Sequence, residues 1–462
     1  MRFIGIQHRR KKTAKGEARP TRVCIVGEDG AVTEYELEDE MSELDFVFGL
    51  FPVQFRPAQA DDDMASFKFS HIKWRKAKKD ENLDELPQSH RRVEDKTSMV
   101  ADKVACKFDG LHSGDVVGMV LGGSGDRFAF ALSRHGEEIG ASVYRVPSFV
   151  LKDKRGDEEK DDDAGLLATL VRDQKSYFYL VNPRERDLIR LGQAYHDRMD
   201  AMKARIACEQ KILQNTIGIV FCSEEGQYPQ GTIEVLYEKA KTNDKILQGY
   251  IAEEADRDKK MLKILKGLGI YEHLFQPIEG VDPAIAARLI VAIGDIRRFA
   301  TDAKLKAYLG VHVMNGGKYG ERSPDKQFVR RRAGEVANWQ SDGRQALYLL
   351  VDQFNRRPNS DWGKRLREIK AKLRAAHPDV MCKECGCKWD DCQMQKTHKR
   401  KYTDGHIQKM ALWRTATKFT QWLWRAWTRL EKNPPEQVEK PEVVKQKTKS
   451  VRNDEITQVV SH

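Results

Sequence analysis

Apolar residues follow two rhythms along this chain. Up to about residue 180 they come in short runs of strand length. Phe3-Ile4-Gly5-Ile6 is one, and two β-rich runs within 21–37 flank Glu28-Asp29-Gly30, a turn signal that predicts a hairpin. Asp115–Leu121 predicts a buried strand, Arg127–His135 a helix and Ala141–Val146 a second strand, a strand–helix–strand unit of the α/β kind. A mixed charge run over 152–163 precedes an amphipathic helix at Ala164–Asp173. Residues 54–112 are polar, with little periodicity, and predict an insertion or mobile loop region.

From Pro183 the period lengthens. Leu188, Leu191, Tyr195, Met202, Ile206 and Leu213 recur at three- and four-residue spacings, so one long helix is expected, with Pro183 in its first turn. A second helical stretch spans about 232–266. The two can pair as a coiled-coil arm that joins copies of the chain, or serve as a helical spacer. Short helices follow at about Pro283–Ile293 and Asp302–Tyr308, and a closing helix at Tyr402–Trp427. The Pro-, Lys- and Glu-rich tail over 433–462 is expected to be disordered. The expected fold class is therefore α/β plus all-α: an N-terminal domain over 1–180, a helical arm over 181–270 and a C-terminal domain over 271–432.

Composition adds a partner class. The hydrophobic and charged fractions, 40% and 33%, suit a globular, highly charged protein. A formal net charge of +11 favours a polyanion, because phosphate binding releases counterions. No run reaches the roughly 18 to 20 apolar residues of a membrane helix. The basic residues at the start follow the apolar stretch instead of preceding it, so no secretory signal is expected and the cytoplasm is the expected location.

Two segments carry candidate chemistry. In Pro277-Ile-Glu-Gly280-Val281-Asp282-Pro283, a glycine turn leads into an alanine-rich helix. Such a turn brings backbone close to a phosphate, with the helix N-terminal amides aimed outward, which is how a helix-hairpin-helix holds a nucleic-acid backbone. Of the eight cysteines, four cluster between Cys382 and Cys392. Cys382-x-x-Cys385-Gly386 is a zinc-knuckle turn. The second pair of ligands comes from Cys387, Cys392, His398 and His406, and the spacing favours Cys392 with His398. A structural Zn2+ there would staple a loop with no core of its own. Lys396, Lys399, Arg400 and Lys401 lie beside it, and Trp413, Trp422, Trp424 and Trp427 follow; most of these tryptophans suit a core, and one facing out suits base stacking.

The run PIEGVDPAIAARLIVAIGDIRRFATDAKLKAYLGVHV, followed by GGKYG, resembles the C-terminal domain of the bridge-RNA-guided (IS-one-ten) transposase-recombinase family, which includes the Piv-type DNA invertases. Gly280, Gly294, Asp295, Ile296, Phe299, Leu305, Tyr308, Gly310, Gly316, Gly317 and Lys318 fall in register with its pattern. Asp162-Asp163-Ala164 and the helix after Leu188 resemble the family more faintly.

That resemblance implies a RuvC-like (RNase H-type) N-terminal domain with four carboxylates around Mg2+, and a serine nucleophile in the C-terminal domain. It further implies DNA as partner, held near Gly280, Val281, Asp282, Gly316, Gly317, Lys318, Arg330 and Arg331, and a structured RNA that selects the target. The chain departs from the pattern at the chemical positions. Gln7 stands where the first acid would be, and Leu121-Gly122 where the second would be, with Asp126 the nearest acid. Asp163 keeps the third, Lys160 stands three residues before it, and Asp161 or Asp162 would be its partner in a shifted register. Asn315 replaces the serine, with Ser323 the nearest hydroxyl. Mg2+ needs hard charged oxygens, which Gln and Leu do not offer. The expected function is transposase-family DNA binding, with RNA-guided recombination or target binding. The alternative is a catalytically inactive guide-RNA- and DNA-binding protein derived from such a transposase.

Overall fold

The computed structural model describes residues 1–9, 18–78, 86–157, 163–222, 233–315, 326–328 and 339–433. Asp162, Gly316, Gly317, Lys318, Ser323, Arg330, Arg331 and the tail beyond residue 433 lie outside the described residues.

The N-terminal half is a mixed sheet covered on both faces. Strands β1 (Arg2–Gln7), β2 (Thr21–Gly27) and β3 (Val32–Leu37) run antiparallel, with the expected hairpin between the last two. Helix α1 (Glu40–Val47) follows, opened by the Asp39 side chain on the Ser42 amide. After an excursion over 51–109, β8 (Val116–Leu121) pairs parallel to β1. Helix α2 (Asp126–Ile139) then leads to β9 (Ser142–Pro147), parallel to β8. Helices α3 (Ser148–Arg155) and α4 (Asp163–Asp173) precede the short edge strand β10 (Tyr179–Leu180). The strand order is β10-β9-β8-β1-β2-β3.

Alternation along β1 explains the layering. Ile4 and Ile6 point to one face and pack with Val23, Met119, Phe128 and Leu132. Gly5 points to the other face, under α4, where an added Cβ would lie 1.9 Å from the Ala164 carbonyl oxygen. Only a glycine lets that helix sit so close to the strand.

Of the two readings of residues 54–112, the mobile loop is corrected: the described residues of the excursion form a second, antiparallel sheet inserted between β3 and β8. Strands β4 (Phe51–Pro57), β5 (Ile72–Lys76) and β6 (Arg91–Glu94) all pair with the long strand β7 (Thr97–Asp109). Its core is small: Met64, Ile72, Ala101 and Val104. Register shifts beside Gln54 and Trp74 interrupt the alternation that would have announced it. Buried Asp45 of α1 ties this sheet to the first one by accepting from Lys68 Nζ (2.6 Å) and Ser70 Oγ (3.0 Å).

The arm is a 39-residue helix, α5 (Pro183–Phe221), with α6 (Ile233–Asn243) and α7 (Lys245–Lys266) folded back along it. The second stretch is thus two helices, broken where Asp244 caps α7. Arg198 bonds Asp258, and Arg205 bonds Glu254, which sets α5 and α7 antiparallel. At its start α5 has a capping box between Asn182 and Glu185. The next three side chains reach three different places: Arg184 to Glu431, Glu185 to Arg297, and Arg186 to Glu137 and Ser133.

The C-terminal half is helical. Helices α8 (Pro283–Ile293) and α9 (Asp302–Tyr308) lie where two short helices were expected. Strands β11 (Val313–Asn315) and β12 (Lys326–Phe328) pair with each other. Two further helices, α10 (Ser341–Arg356) and α11 (Asp361–Ala376), lead to the Cys-rich hairpin of β13 (Met381–Cys382) and β14 (Arg400–Lys401). Helix α12 (Asp404–Lys432) closes the chain. One continuous core joins the root of the arm to α8–α12, with Phe275, Phe354, Phe419 and Trp427 fully buried. Among the described residues, no helix is long and apolar enough to cross a membrane.

Candidate metal centre and polyanion groove

The Cys-rich hairpin gathers Cys382, Cys385, Cys392 and His398, with ligand atoms all within 4.8 Å of one another. Cys382 Sγ lies 3.3 Å from His398 Nδ1, Cys392 Sγ 3.5 Å from the same nitrogen, and Cys385 Sγ 3.9 Å from Cys392 Sγ. Tetrahedral Zn2+, with bonds of about 2.0 to 2.3 Å, needs ligand separations of that order. The turn is built for it. Gly386, at φ +72°, donates to the Cys382 carbonyl, and the Cys385 amide points at Cys382 Sγ. Trp389 packs against Cys382 and Cys392, and Arg400 lies over its ring.

The structure brings Cys392 and His398, the pair favoured by spacing, beside Cys382 and Cys385. His406 instead accepts from the Tyr402 amide at 3.0 Å and stacks on its ring. Cys387 is 2.8 Å from Cys385 Sγ, and that hydrogen bond brings the Cys385 thiol down to about 7. The thiolate is the form that ligates metal.

Between this hairpin, α11 and α12 runs a groove of about 1620 Å³. Its cations are Arg344 from α10; Lys364, Arg365 and Lys372 from α11; Lys383, Lys399, Arg400 and Lys401 from the Cys-rich hairpin; and Lys409, Arg414 and Lys418 from α12. Its acids are Asp361 and Glu368. Side chains at i and i+4 share a helix face, so Arg414 and Lys418 act side by side. Trp413 also lines the groove, whereas Trp427 is buried, Trp424 donates to the Phe299 carbonyl, and Trp422 packs edge-on against Trp362. Of the basic residues beside the Cys cluster, Lys396 is not among the lining residues. Sequence reasoning missed α10 and α11, and with them one wall of the groove. The basic spacing of α11, Lys364-Arg365 and Lys372, was the available signal.

The hairpin before α8 has the expected turn, with Gly280 at φ +92°. Its environment differs from the expected open anion site. Asp282 caps α8 and takes the Ala284 amide at 2.8 Å, and an added Cβ at Gly280 would lie 2.9 Å from Arg357 Cδ. A carboxylate already occupies part of the helix N-terminus, and the neighbouring cation is Arg357.

The carboxylate positions are not assembled. Asp163 is buried and held by Arg155 at 2.7 Å, and Asp126 is paired with Arg145. Gln7 and Leu121 end neighbouring parallel strands, and no acid stands at either position. Asp45 and Glu43 are committed elsewhere, Asp45 to Lys68 and Ser70, Glu43 to Thr21, His8 and Arg9. Among the described residues, no three carboxylates lie close enough to share an ion.

The groove and the Cys/His cluster place a dense set of cations on one surface of the C-terminal half. Within the same half, residues 272–320 match the model of the Transposase IS116/IS110/IS902 family. That stretch runs from the turn before α8 through β11, whose Val313 reaches the groove. Among curated proteins, none matches the chain.

Proposed function

We propose that this chain is a nucleic-acid-binding protein of transposase descent that holds DNA together with a structured RNA in the cytoplasm, in a mobile-element context, and whose two-metal nuclease site has been dismantled. The observation that carries the reading is the cationic groove walled by the metal centre, in a chain whose adjoining segment matches a transposase family. Each phosphate neutralised there releases counterions, and Trp413, with the Arg344 guanidinium over its ring, lines the same groove. The strand order β3-β2-β1-β8-β9, antiparallel then parallel, supports descent from a RuvC-like domain. The arginine-paired Asp163 and Asp126 support loss of its metal chemistry. A copy of the chain is the proposed partner of the helical arm. Zn2+ held by Cys382, Cys385, Cys392 and His398 supplies rigidity to one wall of the groove and takes no part in bond breaking.

The test is to co-express the chain with its native flanking DNA, sequence the RNA that co-purifies, and incubate the complex with cognate DNA and Mg2+. Bound RNA with no Mg2+-dependent cutting of the DNA supports the proposal. Mg2+-dependent cutting that is lost in Asp163→Ala replaces it with an active two-metal recombinase. Absence of any bound nucleic acid, and of binding to added DNA at low salt, rejects both.

A further inference from the structure

The place where the carboxylates are missing holds another constellation. His8 follows β1, and Ser124 lies in the turn after β8, at the carboxyl ends of two adjacent parallel strands. Ligands of open α/β sheets bind at such ends. Ser124 Oγ is 2.9 Å from His8 Nδ1, and His8 Nε2 is 3.2 Å from Glu43 Oε1. Glu43 is buried and fixed from two further sides, by Thr21 Oγ1 at 2.7 Å and Arg9 Nε at 3.5 Å. With the Nε2 proton donated to Glu43, Nδ1 is the acceptor for the serine hydroxyl. The hydroxyl's other contact, to the Arg9 carbonyl oxygen, is longer at 3.4 Å. Ser124 itself is exposed.

We propose that Ser124, His8 and Glu43 form a metal-independent relay that makes Ser124 a nucleophile toward a phosphodiester. The substrate class rests on the nucleic-acid reading above and on the local charge. Arg298, from the transposase-matched segment, lies over the Gly122 turn, where an added Cβ would be 2.6 Å from its Nε. Helix α2 opens beside Ser124 on Gly125, with no side-chain cap. Ser124 Oγ attacks phosphorus and its proton passes to His8 Nδ1. The bond to one strand oxygen breaks, and that oxygen takes the proton back from His8. The product is a strand joined through phosphate to Ser124 and a strand with a free hydroxyl; attack by water or by another strand hydroxyl releases the enzyme. No oxidant, reductant or metal enters the balance. Glu43 is a positioning residue, acting through His8.

The first experiment needs no nucleic acid. The full chain, zinc-loaded and without added divalent metal, is treated with a fluorescent fluorophosphonate, and the modified serine is mapped by mass spectrometry. Labelling should fall on Ser124, vanish in Ser124→Ala, and slow about 100-fold in His8→Gln, the scale of a lost general base. Glu43→Asp should keep labelling that Glu43→Gln loses, which a purely structural role would not produce. An unchanged melting temperature in Ser124→Ala shows that the fold persists. Labelling no faster than in denatured protein, or retained in Ser124→Ala, overturns the relay while leaving the groove's binding reading intact. The second experiment seeks a detergent-resistant adduct with nicked or bound cognate DNA, without Mg2+. A labelled Ser124 with no such adduct overturns the phosphodiester as substrate.

Discussion

Arg155 Nε lies 2.7 Å from a carboxylate oxygen of Asp163, whose other oxygen accepts from the same guanidinium at 3.2 Å. The acid that the family resemblance implies as a metal ligand is thus bidentately neutralised, at the first residue of α4. Replacing Asp163 by Ala strands that guanidinium and removes an anion from a helix start, at a cost of about 1–3 kcal/mol. We expect a lower melting temperature in Asp163→Ala and no effect of millimolar Mg2+ on either protein. Stabilisation of the wild type by Mg2+, lost in the variant, would mean the carboxylate is a metal ligand after all.

The metal centre predicts a stoichiometry. Purified protein should carry one Zn2+ per chain by elemental analysis. Cys392→Ser should lose it, and Cys387→Ser should retain it, because Cys387 lies outside the four-ligand set. Chelation should loosen the hairpin and weaken DNA binding, while α8–α12 keep their own buried core. Metal retained in Cys392→Ser and lost in Cys387→Ser would exchange the two cysteines.

Charge reversal of Arg414 and Lys418 tests the groove. Both are exposed, so Arg414→Glu with Lys418→Glu should leave the melting temperature nearly unchanged. DNA binding should weaken, and the slope of log affinity against log salt should become shallower by about 0.9 per lost duplex phosphate contact. An unaltered slope would put the phosphates on another surface.

Acid sensitivity should trace to Asp109. Burial pushes its carboxyl up, but hydrogen bonds from Arg2, the Gly110 amide and Tyr35 outweigh this and hold it below the ordinary aspartate value. Tyr35 is pushed up to about 12 by burial and the same contact. A depressed carboxyl contributes stability that is complete above its unfolded value, about 3.9, and lost as pH falls through the folded one. Asp109→Asn should therefore be less stable at neutral pH and lose less on acidification below about pH 4, as read by urea unfolding. Parallel acid limbs in both proteins would assign the sensitivity to other groups.

Legibility followed local signals. The hairpin at Gly30, the long helix from Pro183 and α8 each have a turn residue, cap or proline at their ends, and the structure has them at those residues within a position or two. The Cys/His cluster was legible because a chelating set has a fixed spacing. The sheet over 51–109 was not, since its strands bury few residues and its register slips. The partners of Asp163 and Glu43 were not either: Arg155 is eight residues away, and His8 and Thr21 come from the end of β1 and the start of β2, so these pairs exist only once the sheet is assembled.

The footing of α5 has a mechanical meaning. Its 39 residues make a boom roughly 58 Å long. Arg184, Glu185 and Arg186, in one turn, are bolted to the closing helix, to the loop after α8 and to α2. Torque applied at the far end therefore arrives undivided at the root, where it turns both halves of the molecule at once: the groove-bearing half through Glu431 and Arg297, and the half with Ser124 through Glu137.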